Sequence, residues 1–214
     1  DCLVKGEVKY SFYPSPRIKI NNLIIKDLKG TNKNFGSFEN VVMKLPVFSI
    51  YRDKKINYTN LLFEKGLIEI DLNKINLYAK QVKVFNNIKK LNIKKSNIKI
   101  VNNEDYVATI EDINLKYKSK KKIDEIVLEG NFLNDNLYLK FENERRKDKK
   151  NSRSILIKLL NSDVFTKIDF LDIHGNNKSV NGNILFKQNK NIVSSSFKYK
   201  KDEILINNGS LRNE

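Results

Sequence analysis

The chain of 214 residues has a single cysteine, Cys2, and a single histidine, His174. No disulfide can close within it, and no zinc site built from several Cys or His ligands can form. A nucleophile–base–orienter arrangement needs a histidine near a Ser or Cys, and no Gly-x-Ser-x-Gly elbow is present, so many hydrolase designs are removed. His174, ahead of Gly175 in a polar stretch, reads as a turn residue and not as a catalytic base. No apolar run reaches the roughly 18 residues that span a bilayer. No basic start, apolar run and small-residue cleavage site mark a signal peptide. The chain opens at Asp1, which leaves room for a targeting or anchoring segment upstream. With only 8 glycines and 3 prolines, it contains no flexible or proline-rich linker.

What is abundant is lysine, asparagine and isoleucine. The 41 Lys and Arg against 25 Asp and Glu give a net charge of +16, which makes nucleic acid, anionic lipid or an acidic polymer natural electrostatic partners. The lysines are spread along the whole chain, as expected of an AT-rich genome. Two denser runs, Lys116–Lys122 and Arg145–Lys150, read as solvated loops, with contact to anionic headgroups as the alternative. Neither accompanies an RNA-binding aromatic strand motif, so no nucleic-acid partner is expected.

Hydrophobic period points to strands. Val8, Tyr10 and Phe12 alternate with polar neighbours, Pro14 and Pro16 then break the ladder, and alternation resumes at Ile18 and Ile20. After Asn21-Asn22 it continues at Leu23 and Ile25 one residue out of phase, the mark of a bulge or bend that keeps the apolar set on one face. Ala108 to Tyr117 repeats this design around Glu111-Asp112. Leu91 and Ile93, then Lys94 to Asn97, then Ile98 and Ile100, read as a hairpin. Further strands are expected at Val41–Leu45, Ile68–Leu72, Ile75–Ala79, Ile126–Leu128, Leu137–Phe141, Ile184–Phe186, Val193–Tyr199 and Ile204–Ile206, separated by Asn-, Asp- and Gly-rich turns. Short helices fit only Pro46–Arg52, Glu142–Lys150 and Ser162–Leu171, the last with Val164, Phe165, Ile168 and Leu171 at helical spacing. The fold class is therefore mainly β, an antiparallel meander with a few short helices. Residues 1–141 form a first β region, and 142–214 continue the sheet after a charged loop. Glu69 and Asp71 share a strand face and read as a solvent-facing pair that balances lysines, not as an acid–base dyad.

The order of pieces resembles the amino-terminal region of the AsmA family, envelope proteins of Gram-negative bacteria related to TamB. Gly6-Glu7-Val8-Lys9-Tyr10-Ser11-Phe12-Tyr13-Pro14 looks like that family's glycine, strand, aromatic pair and proline, and Ile18–Ile25 like its next strand. Val41–Tyr51, with Leu45-Pro46-Val47-Phe48-Ser49-Ile50, resembles its strand and short apolar helix. Leu67–Ala79, Leu91–Ile100, Ala108–Tyr117 and Glu129-Gly130-Asn131-Phe132 follow in the family's order. The resemblance covers residues 6–141 and implies an elongated, curled, groove-like sheet. It further implies a periplasmic body anchored in the inner membrane by a helix upstream, and a non-enzymatic part in phospholipid movement or outer-membrane upkeep. No cofactor is implied.

An alternating sheet hides its apolar face against a second layer or opens it to a ligand. If the face is a lipid groove, the contact candidates are Val8, Tyr10, Phe12, Ile18, Ile20, Ile68, Ile70, Leu72, Leu91, Ile93, Ile98, Ile100, Ile110, Leu115, Leu137 and Leu139. Two other classes fit the same pattern: an assembly factor that binds envelope proteins at its sheet edges, and a basic module for an anionic polymer.

Overall fold

The computed structural model describes residues 2–26, 34–45, 60–75, 77–78, 88–120, 123–144, 152–172, 179–200 and 203–213. Within them lie fourteen strands: β1 (Cys2–Val4), β2 (Val8–Ser11), β3 (Arg17–Lys26), β4 (Asn34–Lys44), β5 (Asn60–Asp71), β6 (Lys90–Asn102), β7 (Asp105–Ser119), β8 (Ile123–Phe132), β9 (Asp135–Glu144), β10 (Ser152–Leu159), β11 (Val164–Asp172), β12 (Ser179–Gln188), β13 (Asn191–Lys200) and β14 (Glu203–Asn213). They form one open sheet in the order β1-β3-β4 and onward to β14, with β2 beside β1 on the same edge of β3. The mainly β, mostly antiparallel class expected from the periodicity is the class found. By contact the chain divides into two compact units, residues 1–117 with 130–133, and residues 118–129 with 134–214. His174, Pro46–Arg52 and Arg145–Lys150 lie outside the described residues.

In unit 1 the proline-fixed turn stands as expected. β2 ends at Ser11, and β3 starts at Arg17, whose guanidinium donates to the Tyr13 carbonyl at 2.9 Å. The out-of-phase step at Asn21-Asn22 is a left-handed residue, Asn22 (φ 52°), and Asp112 (φ 47°) plays the same part in β7. Ile20 and Leu23, with Asn21-Asn22 between them, are both buried on one face.

Four expectations are corrected before unit 2 is reached. Leu91–Ile100 is no hairpin but the middle of one continuous strand, β6, in which Lys95 (φ 50°) takes the left-handed step. Its neighbour is β5, with Lys65 (φ 53°) at the matching place, so Glu64 still pairs with Lys94 and Leu67 with Asn97. Ser96, 2% exposed, closes the gap that the two steps leave: its Oγ accepts from the Gly66 N–H at 2.9 Å and donates to the Lys94 carbonyl at 2.9 Å. Removing that hydroxyl orphans a buried N–H, so Ser96→Ala is expected to cost about 1–3 kcal/mol, read as a lower urea midpoint at unchanged m-value.

Second, Ile75, Leu77 and Tyr78 do not form the expected strand, and Ala79 lies outside the described residues. Leu72–Lys74 is a 3-10 turn and Ile75, Leu77 and Tyr78 are helical, which makes the β5-to-β6 connection a crossover and that strand pair parallel. Tyr78 packs on Phe35 with ring centroids 5.4 Å apart. Third, Asp71 does not face solvent. It is 9% exposed, and its Oδ1 accepts from the N–H groups of Asn73 (3.1 Å) and Asn103 (3.2 Å), tying the crossover to the β6–β7 turn. Glu69 does pair with a lysine, Lys99, at 3.4 Å. Fourth, Lys116–Ser119 belongs to β7 and not to a loop, with Lys116 and Lys118 exposed and Tyr117 and Ser119 half-buried.

In unit 2, Ser162–Leu171 is not a helix. It contributes a tight turn and then β11, whose nine residues from Val164 to Asp172 each face a partner on β12. The β-branched and aromatic content of Val164-Phe165-Thr166 suits an extended pleat flanked on both sides, and this outweighs the helical spacing. Nor is Glu142–Glu144 helical, since it ends β9.

Asp135, 5% exposed, fixes that turn. Its Oδ1 accepts from the Asn161 N–H at 2.8 Å and its Oδ2 from the Ser162 N–H at 2.9 Å. Hydrogen bonds from Ser162 foremost, and from the backbone of Asn161, Ser162 and Asn136, hold the carboxyl below its ordinary range against the opposing pull of burial. A folded value below the unfolded one gives stability that is complete above about pH 4–5 and lost as pH falls through the folded value. Wild type is therefore expected to lose more of its urea midpoint between pH 6 and pH 3 than Asp135→Asn does. The variant should also be weaker at pH 6, because an amide cannot accept at both positions.

Candidate functional site

Residues opposite each other on neighbouring strands share a face. In unit 1 this rule aligns Ile18, Met43, Leu61 and Leu91 across β3 to β6, then Ile20, Val41, Phe63 and Ile93, and past the left-handed steps Ile25, Gly36, Ile68 and Ile98. Between these rows Leu23, Phe38 and Gly66 lie opposite one another, and the Phe38 ring meets Phe63 at 4.8 Å between centroids. Ile70 pairs with Ile100, extending the same face. The left-handed residues keep the face continuous: each converts a step of two into a step of three, so the alternation changes phase while the apolar side chains stay together. This face of unit 1 holds most of its core, with Val41 and Ile113 fully buried.

Most of the groove candidates belong to that face. Ile18, Ile20, Ile68, Ile70, Leu91, Ile93, Ile98 and Ile100 share it by register, and Val8 and Tyr10 join it opposite Ile20 and Ile18. Ile110 stands beside Ile113, since a Cβ on Gly130 would touch both, and Leu115 follows two residues on. Phe12 and Leu72 do not join: Phe12 lies past the end of β2 and is 78% exposed, and Leu72 opens the 3-10 turn.

In unit 2 the same rule gives a second apolar face, described by itself. Phe141, Ile155, Ile168 and Ile184 form one row across β9 to β12, and Leu139, Ile157, Thr166, Phe186, Val193 and Leu211 another. Leu137, the other unit 2 candidate, is opposite Leu159. Phe197 covers Gly182 and meets Phe170 edge-on at 5.7 Å. Burial is less complete here: Leu137 and Phe197 are buried, and half-buried positions, which on the unit 1 face include Ile18, Met43, Ile70, Leu91 and Ile100, make up most of the two rows. Phe141, Ile155, Ile157, Ile168, Ile184 and Phe186 are only half-buried, and Val193, Ile206 and Leu211 are exposed. Sequence reasoning missed the strand Ser152–Leu159 altogether. Its signal, Ile155-x-Ile157-x-Leu159, was present beside the basic run that drew attention instead.

The reverse face of unit 2 carries charged pairs beside apolar residues such as Leu156 and Leu185, which flank Lys167. Lys140 reaches Glu142 at 2.7 Å and Glu125 at 3.9 Å, Lys167 reaches Asp169 at 2.8 Å, and the Lys158 ammonium lies 5.9 Å from the Tyr138 ring and 5.7 Å from the Phe165 ring. The bond to Glu142 holds the Lys140 ammonium above its usual range, overcoming the effect of burial. The ion pairs of this sheet thus gather on one side and its half-exposed apolar rows on the other. Among the described residues, no helix is long and apolar enough to cross a membrane.

No family model, curated protein or solved structure matches this chain.

Proposed function

We propose that the chain binds phospholipid, with acyl chains lying on the apolar face of unit 2. The observation that carries this reading is that two mainly apolar rows, one ordered by register over four strands and the other over six, stand half-exposed or exposed while the ion pairs of Lys140 and Lys167 gather on the opposite face. Each methylene taken from water there contributes about 0.8 kcal/mol, so a single acyl chain is held without any specific bond. The chain is a binding and transfer component and not an enzyme. Its resemblance to the AsmA family supports a setting in the bacterial periplasm, with an inner-membrane anchor upstream and a part in phospholipid movement between the two membranes or in outer-membrane upkeep. The +16 charge serves contact with anionic headgroups in this reading, not nucleic acid.

Native mass spectrometry of the gently purified chain, followed by lipid extraction, tests the proposal. Phospholipid bound to the folded chain and released on unfolding is the expected result, and Ile168→Glu should lower its occupancy at least tenfold with the far-UV spectrum unchanged. A lipid-free mass with intact β signature would overturn it. A second reading, strand addition by another envelope protein, would then lead, because β14 is exposed along all eleven residues and carries Ile204, Leu205 and Ile206.

A further inference from the structure

β14 ends the strand order of the sheet, so one of its edges has no neighbouring strand among the described residues. Alternate N–H and C=O groups along that edge point away from β13 and are open to a further strand. Sheet edges are commonly guarded by lysine or proline, and β14 carries neither, although the chain holds 41 Lys and Arg. Its two charged residues are Glu203 at one end and Arg212 near the other. Both are exposed, and neither forms an ion pair among the described residues. Nine residues apart, they would face opposite sides of a regular strand. A bulge corrects this: Asn208, in a left-handed step (φ 52°), and Gly209 together stand against the single Ser195 of β13. Glu203 is thereby opposite Lys200 and Arg212 opposite Ile192, an even step apart on β13, so the two share a face. Ile204 and Leu211, opposite Tyr199 and Val193, share the other face. Counted along β13, Glu203 and Arg212 each lie four positions from Asn207, and Ile204 and Leu211 each lie three.

We propose that the chain pairs with a second copy of itself, β14 against β14, antiparallel about a two-fold axis at Asn207. Such an axis requires every residue to meet one that is equally far from the centre and on the same face, and β14 meets both demands only because of its bulge. Glu203 then stands opposite the partner's Arg212, and Arg212 opposite the partner's Glu203, so an ion pair closes each end. Ile204 meets the partner's Leu211 on the side that carries unit 2's apolar rows, and the same contact recurs across the axis. Asn207 meets the partner's Asn207. A slip of two positions would leave all four charges unpaired, which fixes the register. The +16 charge of each copy opposes association, and a strand-edge contact is small, so the dissociation constant falls in about the micromolar range. This pairing does not depend on the phospholipid reading.

Sedimentation velocity of the chain at about 100 µM should give twice its 25.0 kDa mass, falling toward the single mass on dilution. Glu203→Arg and Arg212→Glu each set like charges opposite one another twice per dimer, and each alone should raise the dissociation constant about tenfold or more. Both positions are exposed, so the far-UV spectrum should not change. An equimolar mixture of the two variants restores both ion pairs, because one copy then supplies two arginines and the other two glutamates, and should recover a dimer of mixed composition in native mass spectrometry. In a Cys2→Ser background, Asn207→Cys should cross-link to its own copy under mild oxidation, since the two lie face to face at the axis. Ile204→Cys should not, because its copy lies at the far end of the contact. A chain that stays monomeric at about 100 µM overturns the pairing and leaves the edge to a strand of another protein. A dimer unmoved by both charge variants, or weakened by both and not recovered on mixing, overturns it as well.

Discussion

Gly66→Val is expected to lower the stability of unit 1 by about 3 kcal/mol or more, at the upper end of what overpacking costs. Gly66 sits on β5 with Phe38 opposite it on β4, and the Phe38 ring lies flat over the space a side chain would take. A Cβ there would also press on the Ser37 carbonyl oxygen, a backbone atom that cannot retreat without breaking the β4–β5 ladder. Phe38 is 5% exposed and held against Phe63, so turning it aside empties a packed position. The Gly66 N–H is in addition the donor to Ser96, and a shifted strand loses that bond too. Gly209→Val is the control, because a Cβ at Gly209 meets nothing within 4 Å. Urea titration by circular dichroism should show a large drop in midpoint for the first and a change within about 0.5 kcal/mol for the second. Equal midpoints would mean that the ring is not seated on the glycine.

This crease also shows where the sequence was readable. Asn22 and Asp112 announce their left-handed steps, because short side chains of this kind tolerate positive φ and the apolar pattern visibly changes phase around them. Lys65 and Lys95 make the same step without a signature. Lysine has no local bond to offer in that conformation, and the stabilising groups are supplied from elsewhere: Glu39 pairs with Lys65 at 3.3 Å, and Ser96 bridges to Gly66. A four-residue polar stretch such as Lys94–Asn97 is what a hairpin turn also looks like, so only the neighbouring strand decides.

The crossover and β11 were hidden by a different ambiguity. Ile75, Leu77 and Ala79 alternate as a strand would, and Val164, Phe165, Ile168 and Leu171 recur as a helix would, yet over so few residues both periods can fit one segment. Pairing with β10 on one side and β12 on the other settled β11 as strand. The apolar side of the sheet was legible almost residue by residue in unit 1. Its degree of cover was not, since alternation is identical whether the face is closed or open.

That difference in cover sets the last expectation, a contrast between two isoleucines. Ile113→Ala should cost about 2–5 kcal/mol, the range for truncating a fully buried aliphatic residue. Ile113 is 0% exposed, and its neighbour on β8 is Gly130, which has no side chain to lean into the vacated volume. Ile168→Ala removes the same atoms from the middle of unit 2's apolar face. There the side chain is only half-buried, and the loss should be about 1 kcal/mol, since part of the area was never taken from water. Measured in lipid-free protein, a clear gap between the two urea midpoint shifts is the signature of a closed position in unit 1 and an open one in unit 2. Added phospholipid should then stabilise wild type more than Ile168→Ala, because ligand binding to the native state raises its stability with affinity. Equal losses at the two positions would mean that unit 2's face is already packed, and the acyl chains would have no surface left to occupy.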